Sequence, residues 1–148
     1  MSEMLANQYL MIKKYSLAKE EYEKLISENE FDFRILKRLL ICYVVTFELE
    51  KALNLFHKFI KNNPAKIVSS KMSDDDNLCA EIISSILNGE IKFDNERDKN
   101  IGLGILYSFC NKSQSKKYFS KVSTKQNCPT VTQIIHRLAK INQAFNNS

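Results

Sequence analysis

The sequence predicts an all-α fold, built as a helical-hairpin repeat array of about seven helices with a C-terminal capping helix. Apolar residues fall at three- and four-residue intervals on either side of polar breaks, which is typical of short helix pairs. The chain has only three Gly and two Pro in 148 residues, and few of the alternating apolar runs that indicate strands. A 34-residue recurrence points to a repeat: Leu5, Tyr9, Ala18, Tyr22 and Leu25 return as Leu39, Tyr43, Ala52, Phe56 and Phe59.

Each copy predicts one helical hairpin. In the first, a stripe with Leu5, Tyr9 and Ile12 precedes a turn at residues 13–14, and a second stripe follows. Ala18 and its counterpart Ala52 stand where two helices cross, because a small side chain lets the backbones approach closely. The second stripes contain Tyr15, Ala18, Tyr22 and Leu25 in copy one, and Leu49, Ala52, Phe56 and Phe59 in copy two.

These copies resemble the tetratricopeptide repeat, a 34-residue hairpin with a fixed order of Leu, small, aromatic, Ala and Pro positions. The matching residues are Leu5, Ala6, Tyr9, Tyr15, Ala18 and Tyr22, then Leu39, Tyr43, Leu49, Ala52, Phe56 and Pro64. The chain departs from the family pattern because the early Trp is missing, Leu40 occupies a small-residue position and Glu30 replaces a Pro. The resemblance implies a scaffold that binds other proteins.

A third, degraded copy is predicted at Leu103, Gly104, Tyr107, Ser115, Phe119 and Val122, with a turn one residue shorter. The alternative is an ordinary amphipathic helix pair packed on the end of the array. Either interpretation gives three hairpins, which is about the minimum that buries a continuous core.

We predict a single domain over residues 1–148, with two repeats in 1–64 and a helical extension in 65–148. The acidic run at 74–76 is expected to cap a helix that ends near Asn88 and Gly89, and another helix starts near Glu96. The last helix, with apolar residues from Val131 to Phe145, either covers the open end of the array or forms a homodimer surface.

Charge and composition favour a non-catalytic, cytoplasmic protein without a cofactor or metal. No apolar run is long enough to cross a membrane, and the N-terminus lacks the pattern of a signal peptide. The four cysteines are too widely spaced for a metal motif and are expected to be buried free thiols. His57 and His136 are expected on helix surfaces. Nucleotide-binding and hydrolase motifs are absent from the sequence.

The resemblance also implies a binding surface, because the first helices of such hairpins line a concave groove. The predicted partner-binding residues are Asn7, Leu10, Met11, Arg34, Lys37, Arg38, Ile41, Val44 and Val45. We expect a protein or peptide segment with acidic and apolar side chains to bind there. The alternative is a solvated helix start. The carboxylate clamp of some family members is not expected, since only Asn7 matches it.

A second candidate surface is basic. Residues 99–148 carry eight Lys and Arg and no acidic residue, whereas residues 1–98 have a net charge of -3. The candidate patch contains Lys112, Lys116, Lys117, Lys121 and Lys125. It favours nucleic acid or an acidic protein surface as alternative partners, against the simpler interpretation of a solvated helix face. Self-assembly into a structural oligomer is a further alternative.

Overall fold

The computed structural model describes residues 2–27, 32–62, 76–126 and 129–146. Within these ranges the chain forms eight α-helices and no strand, which confirms the all-α fold. The helices are α1 (Ser2–Met11), α2 (Tyr15–Ser27), α3 (Phe33–Val45), α4 (Leu49–Asn62), α5 (Asp76–Leu87), α6 (Glu96–Tyr107), α7 (Lys112–Gln126) and α8 (Pro129–Asn146). None of these helices is long and apolar enough to span a membrane.

The chain divides into two compact units, Met1–Glu48 and Leu49–Ser148. The division follows α3, so the two helices of the second sequence copy belong to different units. Unit 1 holds α1, α2 and α3, and unit 2 holds the other five helices. The single domain over 1–148 stays a prediction.

Unit 1 is built by α2, which packs against both α1 and α3. Ala6 and Leu10 of α1 are buried, at 0% and 5% exposure. Ala18, Tyr22 and Leu25 form the buried stripe of α2, in agreement with the predicted stripe. Closely packed apolar side chains of this kind supply most of the stability of short helices.

The 34-residue period recurs in the backbone of unit 1. At the end of α1, Lys13 donates its N–H to the carbonyl of Leu10 (3.0 Å) and Lys14 donates to Tyr9 (2.9 Å). At the end of α3 the corresponding bonds join Phe47 to Val44 (3.1 Å) and Glu48 to Tyr43 (2.9 Å). Both ends are Schellman motifs, in which the last carbonyls of a helix receive amide donors from a left-handed turn.

Unit 2 contains a hairpin of α6 and α7, with α8 packed against α7. Gly104 permits the close approach of this pair, because a Cβ added there would lie 2.9 Å from the ring of Phe119. Ser115 donates its hydroxyl to the Gly104 carbonyl oxygen at 2.6 Å in the buried interface. The predicted third copy therefore corresponds to a helical hairpin with a small-residue crossing.

Two positions in the second helix of each predicted copy, the small residue and the aromatic, have the same burial in all three copies. Ala18, Ala52 and Ser115 are each 0% exposed, and the aromatic four residues later is also fully buried in every copy. These aromatics are Tyr22, Phe56 and Phe119. In unit 2 the rings of Phe56 and Phe119 stack with centroids 5.7 Å apart. If the α6–α7 hairpin is a third copy of the repeat, its small residue and its aromatic must be buried in this way.

Polar caps fix several helix boundaries that the sequence indicates. Asn95 precedes α6 and accepts the N–H of Asp98 at 2.8 Å, which satisfies an amide without an intrahelical partner. Gly89 follows α5 with φ of 82°, where glycine carries little strain. The expected capping role of Asp74 and Asp75, and the helix end at Pro64, lie outside the described residues.

The last helix caps its own unit. Its side chains Val131, Ile134 and Leu138 are at most 1% exposed, and α8 packs against α7 and α4. This arrangement agrees with the predicted capping helix rather than with a free dimer surface along that stretch. The side chains of Ile141 and Phe145 lie outside the described residues.

The cysteines differ from one another in burial. Cys42 and Cys79 are buried, as the sequence predicts, whereas Cys110 is exposed. The prediction for Cys110 was wrong: this residue lies beyond the end of α6, and it is exposed although its neighbour Phe109 is buried. Cys128 lies outside the described residues.

Candidate functional site

The structure brings three predicted partner-binding residues together on one surface of unit 1. Arg38 of α3 donates to the side-chain oxygen of Asn7 on α1 at 2.9 Å. Arg34 lies one helical turn earlier on α3, with its guanidinium 3.9 Å from the carboxylate of Glu3. Both pairs join residues 31 positions apart, so α1 and α3 contribute side by side to this α1–α3 surface.

Two hydrogen bonds hold the side chain of Asn7 in place on the α1–α3 surface. Its Oδ1 atom accepts a hydrogen bond from the Tyr22 hydroxyl at 2.6 Å as well as from Arg38. Because Tyr22 is fully buried, its ring anchors the amide and thereby orients the arginine. A carbonyl oxygen with two donors on it is satisfied, so this arrangement holds Arg38 in one place.

Arg34 is held less firmly. Asp32 caps α3 by accepting the N–H of Ile35 at 3.0 Å, and its carboxylate is also 3.6 Å from the guanidinium of Arg34. The Arg34 side chain is 64% exposed. Such exposed ion pairs contribute little to stability, so an incoming carboxylate could replace them at low cost.

Four predicted groove residues are not on the surface of this structure. Leu10 is 5% exposed, Lys37 is 3% exposed, and Ile41 and Val44 are both 0% exposed. The physical reason is the apolar composition of α3, which has nine buried residues among 13 and therefore no wide solvent-facing side. Of the three cations expected at the basic end of the groove, Arg34 and Arg38 are not buried. Val45 is half-buried.

Met11 belongs to a different surface, which sequence reasoning missed. It is 82% exposed and lies on α1 with Met4, which is 70% exposed. Leu5 and Ile12, which the sequence pattern placed on one apolar stripe with Tyr9, are 38% and 62% exposed. We call these four residues the outer face of α1. A helix with apolar residues on two sides gives no sequence signal for which side is buried.

Polar contacts in unit 1 join α2 to α3 and to Glu48, which follows α3. Tyr43 donates its hydroxyl to Glu23 at 2.7 Å, and its pKa is raised by burial and by that carboxylate. Lys19 lies 2.8 Å from Glu48, and this hydrogen bond raises the lysine pKa. Burial raises the pKa of the Cys42 thiol to about 12. These contacts bind α2 to the end of α3.

The basic patch lies on α7 in unit 2. Lys117 and Lys121 are exposed, whereas Lys112 and Lys116 are half-buried. Burial lowers the pKa of Lys112. The side chain of Lys125 lies outside the described residues. The patch is therefore smaller than the five lysines that the sequence indicates.

Two tyrosines of unit 2 stack beside the patch. The rings of Tyr107 and Tyr118 are nearly parallel, with an interplanar angle of 7° and centroids 5.6 Å apart. The ammonium group of Lys121 lies 4.7 Å from the centre of the Tyr118 ring, a distance suited to a cation–π contact. Each ring thus already has an aromatic partner.

The histidines of unit 2 are in different surroundings. His136 is exposed, as predicted, but His57 is half-buried and its Nε2 atom has no hydrogen-bond partner. Burial lowers the pKa of His57, and the nearby charges of Arg137 and Lys61 lower it further. Among the side chains that the structure describes, no group of three or more His, Cys, Asp or Glu could hold a metal ion.

Comparison with models of known protein families, with curated proteins and with solved structures gave no match. The likeness to the tetratricopeptide repeat therefore rests on the 34-residue recurrence of the sequence. Two surfaces of unit 1 remain as candidates for binding, the polar α1–α3 surface and the outer face of α1.

Proposed function

We propose that this chain is a non-catalytic protein-interaction module, an adaptor or chaperone-like scaffold of the cytoplasm. Its contact surface is the α1–α3 surface, where Asn7, Arg34 and Arg38 meet a partner segment that carries acidic and apolar side chains. The observation that carries the proposal is the double hydrogen bond on Asn7, which fixes an arginine beside a second, more exposed arginine. The resemblance to a repeat family of binding scaffolds supports the same class of function.

The charge arrangement supports an acidic partner. An arginine held in place by its own protein loses less conformational freedom when it binds a carboxylate, so preorganisation improves affinity. Arg34 can exchange its exposed contacts for a carboxylate of the partner and guide the encounter. The half-buried Val45 offers an apolar edge near the other end of α3.

A peptide-display selection on the wild-type protein tests this proposal. We expect enrichment of peptides that combine Asp or Glu with aliphatic residues. Arg34→Glu should weaken binding of the selected peptide roughly twofold to fivefold in fluorescence anisotropy, which is the size expected for one exposed charge contact. Lys37 is kept unchanged because it is buried, and reversing its charge would disturb the fold.

Lys24→Glu is the matched control, since the side chain of Lys24 on α2 is 61% exposed and that of Arg34 is 64% exposed. Both variants change the net charge by the same amount. Equal affinity of the two variants for the selected peptide, or enrichment of peptides without acidic residues, would count against the α1–α3 surface.

Nucleic-acid association through α7 is the second candidate. It is favoured by the exposed pair Lys117 and Lys121 and by a C-terminal third without acidic residues. Phosphate contacts of this kind weaken steeply as salt rises. Anisotropy with single-stranded RNA and duplex DNA at low and moderate salt tests it, with Lys117→Glu and Lys121→Glu combined in one variant. Absence of binding at low salt eliminates this candidate.

A further inference from the structure

The packing of α4 against α8 in unit 2 brings three basic side chains together. His57 and Lys61 of α4 are four residues apart, so they lie one turn apart on the same side of that helix. The charges of Lys61 and of Arg137 on α8 both act on the His57 ring. We call the place where these three side chains meet the α4–α8 edge.

The α4–α8 edge borders the apolar interface of the two helices. Ile60 of α4 and Ile134 of α8 are at most 1% exposed. At 100° per residue, His57 lies about 60° from Ile60 around α4, and Arg137 lies about 60° from Ile134 around α8. Both side chains are half-buried, whereas Lys61 is exposed. The cluster is therefore open to solvent on one side and covered by protein on the other.

The two helices contribute no carboxylate to this edge. α8 contains no Asp or Glu, and the only acidic residue of α4 is Glu50. Glu50 lies seven residues before His57, roughly 10 Å along the helix axis, and is paired with Arg97 of α6 at 2.9 Å. The other charged or titratable groups of α4 and α8 whose side chains the structure describes are exposed; they are Lys51, Lys58 and His136.

The neighbouring helices add little negative charge. α7 packs against α8 and has only basic charged residues. α6 packs against α4, and its two acidic residues, Glu96 and Asp98, lie in its first turn beside Arg97. Within the described chain, the charges that act on His57 are those of Arg137 and Lys61, and both are positive. Such a meeting of like charges is unfavourable in the absence of an anion.

An imidazole nitrogen at this edge is unsatisfied. The Nε2 atom of His57 is buried and has no hydrogen-bond partner. Burial lowers the pKa of His57, and the charges of Arg137 and Lys61 lower it further, so the ring is neutral near pH 7. A buried polar atom without a partner costs free energy, and a bound ion is one of the arrangements that satisfies such an atom.

We propose that the α4–α8 edge binds a doubly charged oxyanion of the phosphate class, held by Lys61 and Arg137 with His57 beside it. A guanidinium matches paired phosphate oxygens, and an ammonium adds a point charge. The anion favours the protonated ring, whose Nε2 then donates to one of its oxygens. Protein covers Nε2 in this structure, so binding includes the movement of a side chain, and the exposed Lys61 can make that movement.

This site is independent of the proposed function. Its residues belong to unit 2, whereas the α1–α3 surface belongs to unit 1. The lysines of the basic patch on α7 take no part in it either. A result against the α4–α8 edge therefore leaves the proposed partner surface untouched, and the converse also holds.

Two-dimensional NMR of the histidine ring C–H groups in the full chain measures binding. His57 and His136 are the only histidines, and His136→Gln assigns their signals. Inorganic phosphate is added at about pH 7, with sodium chloride at equal ionic strength as the reference. We expect the His57 signal to shift and to saturate at millimolar phosphate, whereas the exposed His136 should shift much less. A His57 signal that is the same in both salts overturns the proposal.

Sulfate tests the role of the ring, because it stays doubly charged across the range of about pH 5–8 in which histidine titrates. A bound anion stabilises the protonated ring, so the pKa of His57 should be higher in sulfate than in chloride. By linkage, the anion should bind more tightly as the pH falls through that pKa. Equal changes in the pKa of His57 and His136 would indicate general screening and would contradict a site at His57.

Substitutions test the two cations. Lys61→Gln should weaken phosphate binding roughly twofold to fivefold, and Arg137→Gln roughly tenfold, because it removes the paired donors. Lys51→Gln is the matched control, since Lys51 is also exposed on α4 and lies ten residues, about 15 Å, before Lys61. Circular dichroism checks that each variant keeps its helices. Equal phosphate affinity of Lys61→Gln and Lys51→Gln overturns the assignment.

Adenosine monophosphate in the same titration distinguishes two sources of the phosphate group. An affinity equal to that of inorganic phosphate supports a site for the inorganic ion. Tighter binding of adenosine monophosphate supports a site for the phosphate of a nucleotide. Binding of neither compound at concentrations up to about 50 mM overturns the proposal.

Discussion

Lys13 and Phe47 stand 34 residues apart and adopt the same left-handed backbone conformation, with φ of 62° and 64°. Glycine is the usual residue at this position after a helix, because a Cβ atom strains the left-handed region. In both places the turn is kept by two backbone hydrogen bonds to the preceding helix. The repeat therefore preserves the geometry of the turn without its usual residue.

We expect Lys13→Gly to raise the free energy of unfolding by about 0.5–1 kcal/mol, because it removes the strain of a side chain in the left-handed region. The measurement is chemical denaturation of dilute protein. Lys14→Gly is the control, since Lys14 is not one of the described residues that have a positive φ. It should destabilise the protein slightly through the greater freedom of glycine in the unfolded state. A loss of stability in Lys13→Gly equal to that of the control would contradict this account.

Gly104→Ala should destabilise the hairpin of α6 and α7. The added methyl group would lie 2.9 Å from the Phe119 ring, which is fully buried and stacked on Phe56. A ring in that position has little room to move, so the expected loss is about 1–3 kcal/mol in denaturant unfolding.

The variant Phe119→Leu tests whether contact with the Phe119 ring causes the loss of stability in Gly104→Ala. Its own cavity lowers stability, but Gly104→Ala should cost less in the Phe119→Leu background than in the wild type, because the ring is gone. Additive effects in the double variant would show that the cost of Gly104→Ala arises elsewhere.

The cysteines should react in a defined order with iodoacetamide near pH 8. Thiolate is the reactive form, so burial that raises the pKa of Cys42 to about 12 protects that thiol. Cys79 is buried as well, whereas Cys110 is exposed. Peptide mapping should find Cys110 modified first, with Cys42 and Cys79 modified only after addition of denaturant. Rapid modification of Cys42 in the native protein would be inconsistent with its burial.

His57 should make unit 2 less stable in mild acid. Burial, followed by the charges of Arg137 and Lys61, lowers its pKa from the ordinary value of 6.5. The unfolded chain therefore takes up a proton at a higher pH than the folded chain does. Stability contributed by neutral His57 is present above pH 6.5 and falls as the pH drops toward the lowered pKa.

Unfolding of His57→Gln measured from pH 7.5 to 5 should show a smaller loss of stability than the wild type, near and below the ordinary histidine pKa. His136→Gln is the matched control, because His136 is an exposed histidine of the same unit. Parallel stability curves for wild type and His57→Gln would exclude this contribution.

The sequence predicts helix ends and crossings better than surfaces. The ends are visible because caps depend on local residue types, as at Asn95 and Gly89. The crossings are visible because the space between two helices selects small side chains, as at Ala18 and Ser115. Both signals can be read from residues that are a few positions apart or one repeat period apart.

The candidate surfaces depend on contacts that a single sequence does not encode locally. Asn7 and Arg38 meet across 31 residues, and nothing in either segment alone indicates their hydrogen bond. Lys37 has the residue type of a surface position, yet it is buried in a helix that is apolar on nearly every side. Met11 illustrates the converse case, since an apolar residue of a short helix can face outward when the opposite side is also apolar.

The boundary between Glu48 and Leu49 has a consequence for how the chain opens. Cooperative opening follows groups of helices that contact one another, and the contacts group α1, α2 and α3 together. Amide hydrogen exchange should therefore show α3 exchanging with α1 and α2 rather than with α4, its partner in the sequence copy. The sequence copies divide the chain between hairpins, whereas opening divides it between the two helices of the second copy. The two sets of boundaries are therefore offset by one helix, which is half a repeat.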